Sequence, residues 1–290
     1  MSPRELAEGD PLAGKTSFDD IYDRDDPRAY YAALRPYDYQ IPHHAQGAIR
    51  AMLAVRRRRE TIVDLCCSYG VNAALLAHDV SLVDLYDHYA AEPDSATATD
   101  LIAHDRSYFA ARQLPGAPRM VGHDLAAPAV RYAARVGLLD EAFAENLEAD
   151  EPSPAFRSAV SDATMITVSG GVGYIGHLTF ERVLGAVAEP PWVVALVLRE
   201  VSYGPIASAL AGFGLVTEKL ATRTFPQRRF TDAEEQQAAL KRIDMLGLSA
   251  AGKEDTGYYH AELFVSRPAA EADVPIAELI PVPPGLDTVM

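Results

Sequence analysis

The stretch TIVDLCCSYGVNAALL, residues Thr61 to Leu76, decides how the chain is read. Thr61 to Cys67 is apolar on both faces, the mark of a strand buried inside a parallel sheet. Gly70 ends the turn, and Val71 to Ala77 reads as a helix. A strand, a tight turn and a helix form the opening of a nucleotide-binding βα unit, but Cys66 and Ser68 stand where glycines are usual. A pyrophosphate needs those glycines, because only they let the backbone approach it closely. The substitutions therefore weigh against a dinucleotide dehydrogenase. They harm a cofactor without phosphate much less.

Working outward, strands alternate with helices. Upstream, Asp26-Pro27 starts a helix over RAYYAALR, and Pro42 opens a second over HHAQGAIRAMLAVRRRR. Downstream, an acid is wanted at the end of the second strand to hold ribose hydroxyls. Asp84 has suitable spacing, but Ser81-x-x-Asp84 is a capping box followed by helical periodicity. Asp124 in MVGHDLAAPAV is preferred, which makes residues 80–117 an insertion of two helices. EAFAENLE reads as a short third strand ending near Glu145-Asn146, and ATMITVSGG as the fourth. HLTFERVLGAVA, YGPIASALAGFG and FTDAEEQQAALKRIDMLG are helices. WVVALVLRE, LVTEKLATRTF and GYYHAELFVSR are the fifth to seventh strands, the last two as an antiparallel edge. The expectation is an α/β fold: a doubly wound, seven-stranded, mostly parallel sheet with an N-terminal helical lid and a helical insertion. Residues 1–60 form the arm and lid, 61–267 the cofactor domain and 268–290 an extended tail.

Composition excludes several functions. Of 290 residues, 41 are acidic and 26 basic, a net charge of -15, which repels nucleic acid and anionic membranes. The basic run Arg56 to Arg59 follows an apolar-periodic segment and suits a helix C-terminus. No apolar run nears the ~18 residues a membrane span requires, and the first residues lack the apolar core of a signal peptide. A cytoplasmic protein is expected. The two cysteines, Cys66 and Cys67, are adjacent in a strand-like run. They match neither a disulfide nor CxxC metal spacing, so no metal is expected.

VDLCCSYG, then GHD, AENLE, MITVSGG and two late strands together resemble a class I S-adenosylmethionine (SAM)-dependent methyltransferase of the small-molecule type. That family's first motif usually reads hhDhGxGxG, with h apolar, and of its glycines Gly70 remains here. The resemblance covers residues 61–267 and implies SAM as cofactor. It places Asp64 beside the methionine ammonium and Asp124, with Leu125, around the ribose. Cys66, Ser68, Tyr69, Gly70 and Asn72 would form the turn against the methionine part. Asn146 and Leu147 would flank the adenine, and Ser169 and Gly170 would face the sulfonium and acceptor. Each has a structural alternative: Asp64 can cap a turn, Asp124 can be a helix N-cap, and Asn146 can be a turn residue.

For the acceptor, a small molecule is expected, in the manner of secondary metabolism. Methyl transfer is an in-line displacement in which positioning dominates, and a base is needed only where the acceptor loses a proton. YDYQIPHH, residues Tyr37 to His44, lies where family members place a lid, so Tyr39, Gln40 and His43 are candidates to contact SAM or acceptor, with His43 or His44 as a base, the alternative being that the segment only joins a helix to the core. Tyr174 and Tyr203 are pocket candidates by position, and the insertion is placed to roof the pocket. Two alternatives stay open: intramolecular cyclisation of SAM, for instance to azetidine-2-carboxylate with release of methylthioadenosine, and a non-catalytic SAM-fold binding module. A homodimer is compatible with all three.

Overall fold

Every residue of β1 (Thr61–Leu65) is buried, because the strand lies in the middle of the sheet. It pairs in parallel with β2 (Arg119–His123) on one side and β4 (Met165–Ser169) on the other. The computed structural model describes residues 12, 14–93 and 95–280. Outward from β1, β2 carries the short β3 (Glu141–Phe143), and β4 carries β5 (Trp192–Leu198), all in parallel. The far half is antiparallel: β8 (Tyr258–Pro268) runs against β5 and pairs along its other edge with β6 (Leu215–Lys219) and β7 (Phe225–Arg229). The order is β3-β2-β1-β4-β5-β8-β6, with β7 extending the β6 edge along β8. Five parallel strands followed by an antiparallel edge give the Rossmann-like methyltransferase fold.

Helices cover both faces, so the strands feed two apolar clusters alternately. On β5, Trp192, Val194 and Leu196 face one cluster while Val193, Ala195 and Val197 face the other. The first cluster receives α1 (Arg28–Leu34), α2 (Ile41–Arg56), α3 (Val71–Ala77) and α6 (Ala127–Arg135). The second receives α7 (Pro154–Val160), α8 (His177–Leu184) and α9 (Gly204–Gly212). The insertion is two helices, α4 (Leu82–Ala91) and α5 (Ala98–Ala110). Ser81 and Asp84 form the capping box of α4, which settles Asp84 as a helix-start residue. The last long helix, α10 (Ala233–Met245), starts at Asp232, whose side chain accepts from the Glu235 amide.

Two expectations need correction, and one helix was missed. The sheet has eight strands, because FPQRR forms β7; its polar side chains and Pro226 hide it, and a proline is tolerated there only because β7 is a short edge piece. Helix α7 went unforeseen although Ser153-Pro154 is a cap followed by proline in the first turn. After Pro268 the chain is not extended: it forms a helical turn and α11 (Ile276–Leu279), burying Ile276 and Ile280 in the first cluster. Residues 281–290 of the expected tail and 1–11 of the arm lie outside the described residues.

Gly122 shows how tightly β2 meets its neighbours. A Cβ there would stand 2.4 Å from a Leu139 methyl and 2.9 Å from Cys67 Sγ. Gly122→Ala is expected to destabilise the chain by about 1–3 kcal/mol through overpacking, measured by urea unfolding; a loss below about 0.5 kcal/mol would mean that Leu139 repacks freely.

Candidate active site

The turn after β1 carries the site. Cys66, Ser68 and Gly70 have φ of 55°, 53° and 76°, all left-handed. These are the three positions that align with the glycines of the family motif, so the glycine-loop backbone is kept although two glycines are gone. Holding Cys66 and Ser68 there costs about 1 kcal/mol each, and the surroundings compensate. The Ser68 amide donates to Asp124 Oδ2 at 2.8 Å, and Asp124 Oδ1 accepts from the Ala126 amide at 2.9 Å. Asp124 thus binds the β1 turn to the end of β2. Opposite Cys66 stands Gly171, where a Cβ would lie 2.6 Å from Cys66 Sγ. The bulk added at position 66 is accommodated by a glycine on the neighbouring strand end.

A cavity of about 420 Å³ opens at this carboxyl edge of the sheet. Of the expected residues, Tyr39, Cys66, Ser68, Asn72, Asp124, Leu125, Ser169, Gly170 and Tyr174 line it. The Ser68 hydroxyl is buried without a partner, an arrangement that favours a ligand able to hydrogen-bond it. Asp64 stands one layer behind. Its Oδ1 accepts from Asn72 Nδ2 at 2.9 Å and Thr167 Oγ1 at 2.6 Å, and Asn72 Nδ2 also donates to Ser169 Oγ at 2.9 Å. Asp64 therefore reaches the cavity through Asn72, and its Oδ2 is buried without a partner. Burial pushes its carboxyl up to about 6, against the hydrogen bonds from Thr167 and Asn72, and the nearby Asp124 adds to the rise.

Other expected residues fall elsewhere. Tyr69 turns away from the cavity, its hydroxyl donating to the Ile21 and Arg24 carbonyls at 2.9 and 3.0 Å. Gly70 serves the backbone alone, as the left-handed cap of α3. His43 is exposed on α2, beside the His44 ring, and does not line the cavity, so it is not placed to act as a base. Asn146 is exposed, and its side chain accepts from the Glu148 and Ala149 amides, which makes it a turn residue. Leu147 is buried in the second cluster. Tyr203 stacks on Phe264 at 4.4 Å inside the protein. The described insertion residues do not line the cavity; they brace its wall, Tyr86 donating to the Tyr39 carbonyl at 2.9 Å and Tyr89 stacking on Tyr31 at 4.4 Å.

The opposite wall comes from segments whose role was not legible. The arm supplies Lys15, Asp19 and Tyr22, and β7 supplies Gln227 and Arg228. Tyr69 holds this arm from below, while Glu235 accepts from the Thr16 amide at 2.7 Å. Arg228 is paired with Glu235 at 2.7 and 2.9 Å. Lys15 has no carboxylate partner among the described residues; its ammonium lies 5.4 Å from the Tyr174 ring centre. Burial, then the Arg228 charge, lowers its amine to about 8. Gln227 Oε1 is buried without a partner. His123, at the end of β2, also lines the cavity with its Nε2 donating to the Glu145 carbonyl at 2.8 Å, and burial holds the ring below its usual range. The cavity therefore carries charge of both signs: Asp124 stands at the β2 end, and Lys15 and Arg228 face it from the arm and β7, with Asp19 and Asp23 of the arm beside them.

Among solved structures, the chain is similar to the YcgJ protein of Bacillus subtilis, with 10% identity over 77% of this chain and 97% of that one, at a TM-score of 0.46. It is also similar to the O-methyltransferase of a trans-AT PKS multienzyme of Brevibacillus brevis in complex with S-adenosyl-L-homocysteine (13% identity, 80% and 75% covered, TM-score 0.40). A third is a TehB-like SAM-dependent methyltransferase of Corynebacterium glutamicum (16% identity, 75% and 86% covered, TM-score 0.38). No family model matches the chain, and no curated protein does. The fold stands on strand order and direction. Among the described residues no helix is long and apolar enough to cross a membrane.

Asp64 gives a pH prediction. The folded chain keeps its proton up to about pH 6, whereas the unfolded chain releases it near the ordinary carboxyl value of 3.8. In that window the native state binds more protons, so this group's contribution is fully present below the lower value and lost as pH rises through the upper one. Asp64→Asn is expected to abolish a loss on the order of 3 kcal/mol between those limits, read as the difference between wild-type and variant urea curves across pH. Parallel curves would refute the assignment.

Proposed function

We propose that the protein is a SAM-dependent methyltransferase that moves the sulfonium methyl to a small-molecule acceptor. The observation that carries this reading is the left-handed turn at 66, 68 and 70, tied to Asp124 at the mouth of the cavity. On this reading the Asp124 carboxylate, while still holding the Ser68 amide, accepts from the ribose hydroxyls. Leu125, exposed at the rim, covers the nucleoside. The methionine ammonium lies toward Asn72 and Ser169, and the buried Asp64 behind them supplies the balancing negative charge. A cationic cofactor is thereby matched to the acidic end of the cavity.

The acceptor then occupies the wall of Tyr39, Tyr174, Gln227 and Lys15. Displacement at the methyl carbon forms one bond as the carbon–sulfur bond breaks, so alignment and exclusion of water supply most of the rate. Where the acceptor has a proton to lose, Lys15 is the group suited to take it, its amine being lowered toward neutrality by burial.

Two measurements test this. Pure protein incubated with SAM, alone and with cell extract, should yield S-adenosylhomocysteine only when an acceptor is present. Methylthioadenosine formed without acceptor would establish cyclisation in its place, and no calorimetric binding at millimolar SAM would defeat any SAM-using function. In addition, Asp124→Ala is expected to weaken SAM binding at least about tenfold, as loss of charge-assisted hydrogen bonds does. Asp84→Ala should cost about 1 kcal/mol of stability through the lost cap and leave binding unchanged. The reverse pattern would overturn the site.

A further inference from the structure

The two-helix insertion carries a cluster unrelated to the cavity. His88 lies in the last turn of α4 and Glu92 caps its end, while His104 and Asp105 are adjacent on α5. One ligand atom from each lies within 4.8 Å of all the others. The geometry points to a divalent metal site here, two imidazoles and two carboxylates on facing helices, with zinc as the ion such nitrogen and oxygen ligands take in tetrahedral form.

The groups are arranged as ligands with supports. Asp105 is fully buried, and its Oδ2 accepts from Tyr89 at 2.8 Å and from Tyr132. Its Oδ1 meets only His88 Nε2, at 2.7 Å. One oxygen is thus fixed by two phenols while the other points into the cluster, as carboxylate ligands are commonly held. The His88 ring is clamped by stacking on Tyr108 at 4.0 Å. On the outer side His104 Nδ1 and Glu92 Oε1 are 2.7 Å apart, and the His104 side chain is 57% exposed, which gives an ion an entry path.

In a tetrahedral zinc site with bonds of ~2.0 Å, neighbouring ligand atoms sit about 3.3 Å apart. The two paired contacts, 2.7 Å each, would open slightly to reach that spacing, the outer one by a shift of the exposed His104 ring. Metal then replaces the His88–Asp105 and His104–Glu92 hydrogen bonds. Each ring nitrogen that donates to a carboxylate in the metal-free chain first gives up that proton, which moves through water to the other nitrogen of the same neutral imidazole, and the freed lone pair then binds the ion, so no redox step is involved. The bound ion would pin α4 to α5, and the Tyr89–Tyr31 stack carries that rigidity to α1.

The test uses the full chain without an affinity tag, stripped by chelator and dialysed. Titrated with zinc chloride against a chromophoric competitor, it should bind one ion per chain at micromolar or tighter affinity. His104→Ala, at the exposed outer ring, and Glu92→Gln, a near-isosteric change at a largely buried side chain, should each weaken binding at least about tenfold while leaving the far-UV circular dichroism unchanged. Cobalt substitution should give tetrahedral d–d bands without a sulfur-to-cobalt charge-transfer band, which separates this cluster from Cys66 and Cys67. Zinc binding weaker than about 100 μM, equal binding by both variants, or a thiolate band would overturn the site.

Discussion

The bond from the Ser68 amide to the Asp124 carboxylate holds the end of β1 to the end of β2, and the site depends on it. A left-handed serine two residues after a left-handed cysteine is strained, and strain of this kind survives only where the surroundings over-determine it. Here two bonds to the end of β2 do so. Asp124 takes the Ser68 amide at 2.8 Å, and Cys67 donates its amide to the His123 carbonyl at 3.1 Å. Tyr69 then extends the same turn outward, anchoring the arm through its hydroxyl. One turn of five residues thereby sets the positions of the cavity floor, the acidic wall and part of the roof.

The same contact explains why the glycines are dispensable. A glycine loop serves two ends: access to positive φ and close approach of a second group. The first is met at 66 and 68 by non-glycine residues held under strain. The second is transferred to the partners, since Gly171 leaves room for Cys66 and Gly122 leaves room for Cys67. A pyrophosphate would need bare backbone at positions 66 and 68 themselves. A cofactor ending in an amino acid needs hydrogen-bonding groups there, and Ser68 offers a hydroxyl that the protein leaves unpaired.

The parallel half of the fold was legible because its signals are local. Continuous apolar runs marked β1, β4 and β5, and caps marked α1, α2 and α4. The Ser81–Asp84 capping box was readable enough to remove Asp84 from the site and leave Asp124 in it. What escaped depends on distant contacts. The strand β7 is FPQRR, and both Gln227 and Arg228 are buried, Arg228 because its distant partner Glu235 satisfies it. Lys15 comes from an arm with no periodicity, and its placement comes from Thr16 bonding Glu235 and Thr231, more than 200 residues away in sequence. Asn146 failed in the other direction: its two short-range hydrogen bonds to following amides are an ordinary turn, which the sequence alone could not separate from a base-reading role.

The insertion shows how a segment can shape a cavity without lining it. Its aromatic side chains form a continuous path inward: Tyr89 stacks on Tyr31, Tyr31 meets Tyr30 edge-on at 5.1 Å, and Tyr30 packs against Tyr39 at 6.4 Å. Tyr86 closes the path by holding the Tyr39 carbonyl. Such contacts each contribute about 1 kcal/mol beyond their burial, and their value here is rigidity, since Tyr30 and Tyr39 both face the cavity. At the outer end of this path sits the buried Asp105, held by two phenols and an imidazole. Asp105 is thus joined to the cavity wall by a chain of packed rings, although the described insertion residues do not line the cavity.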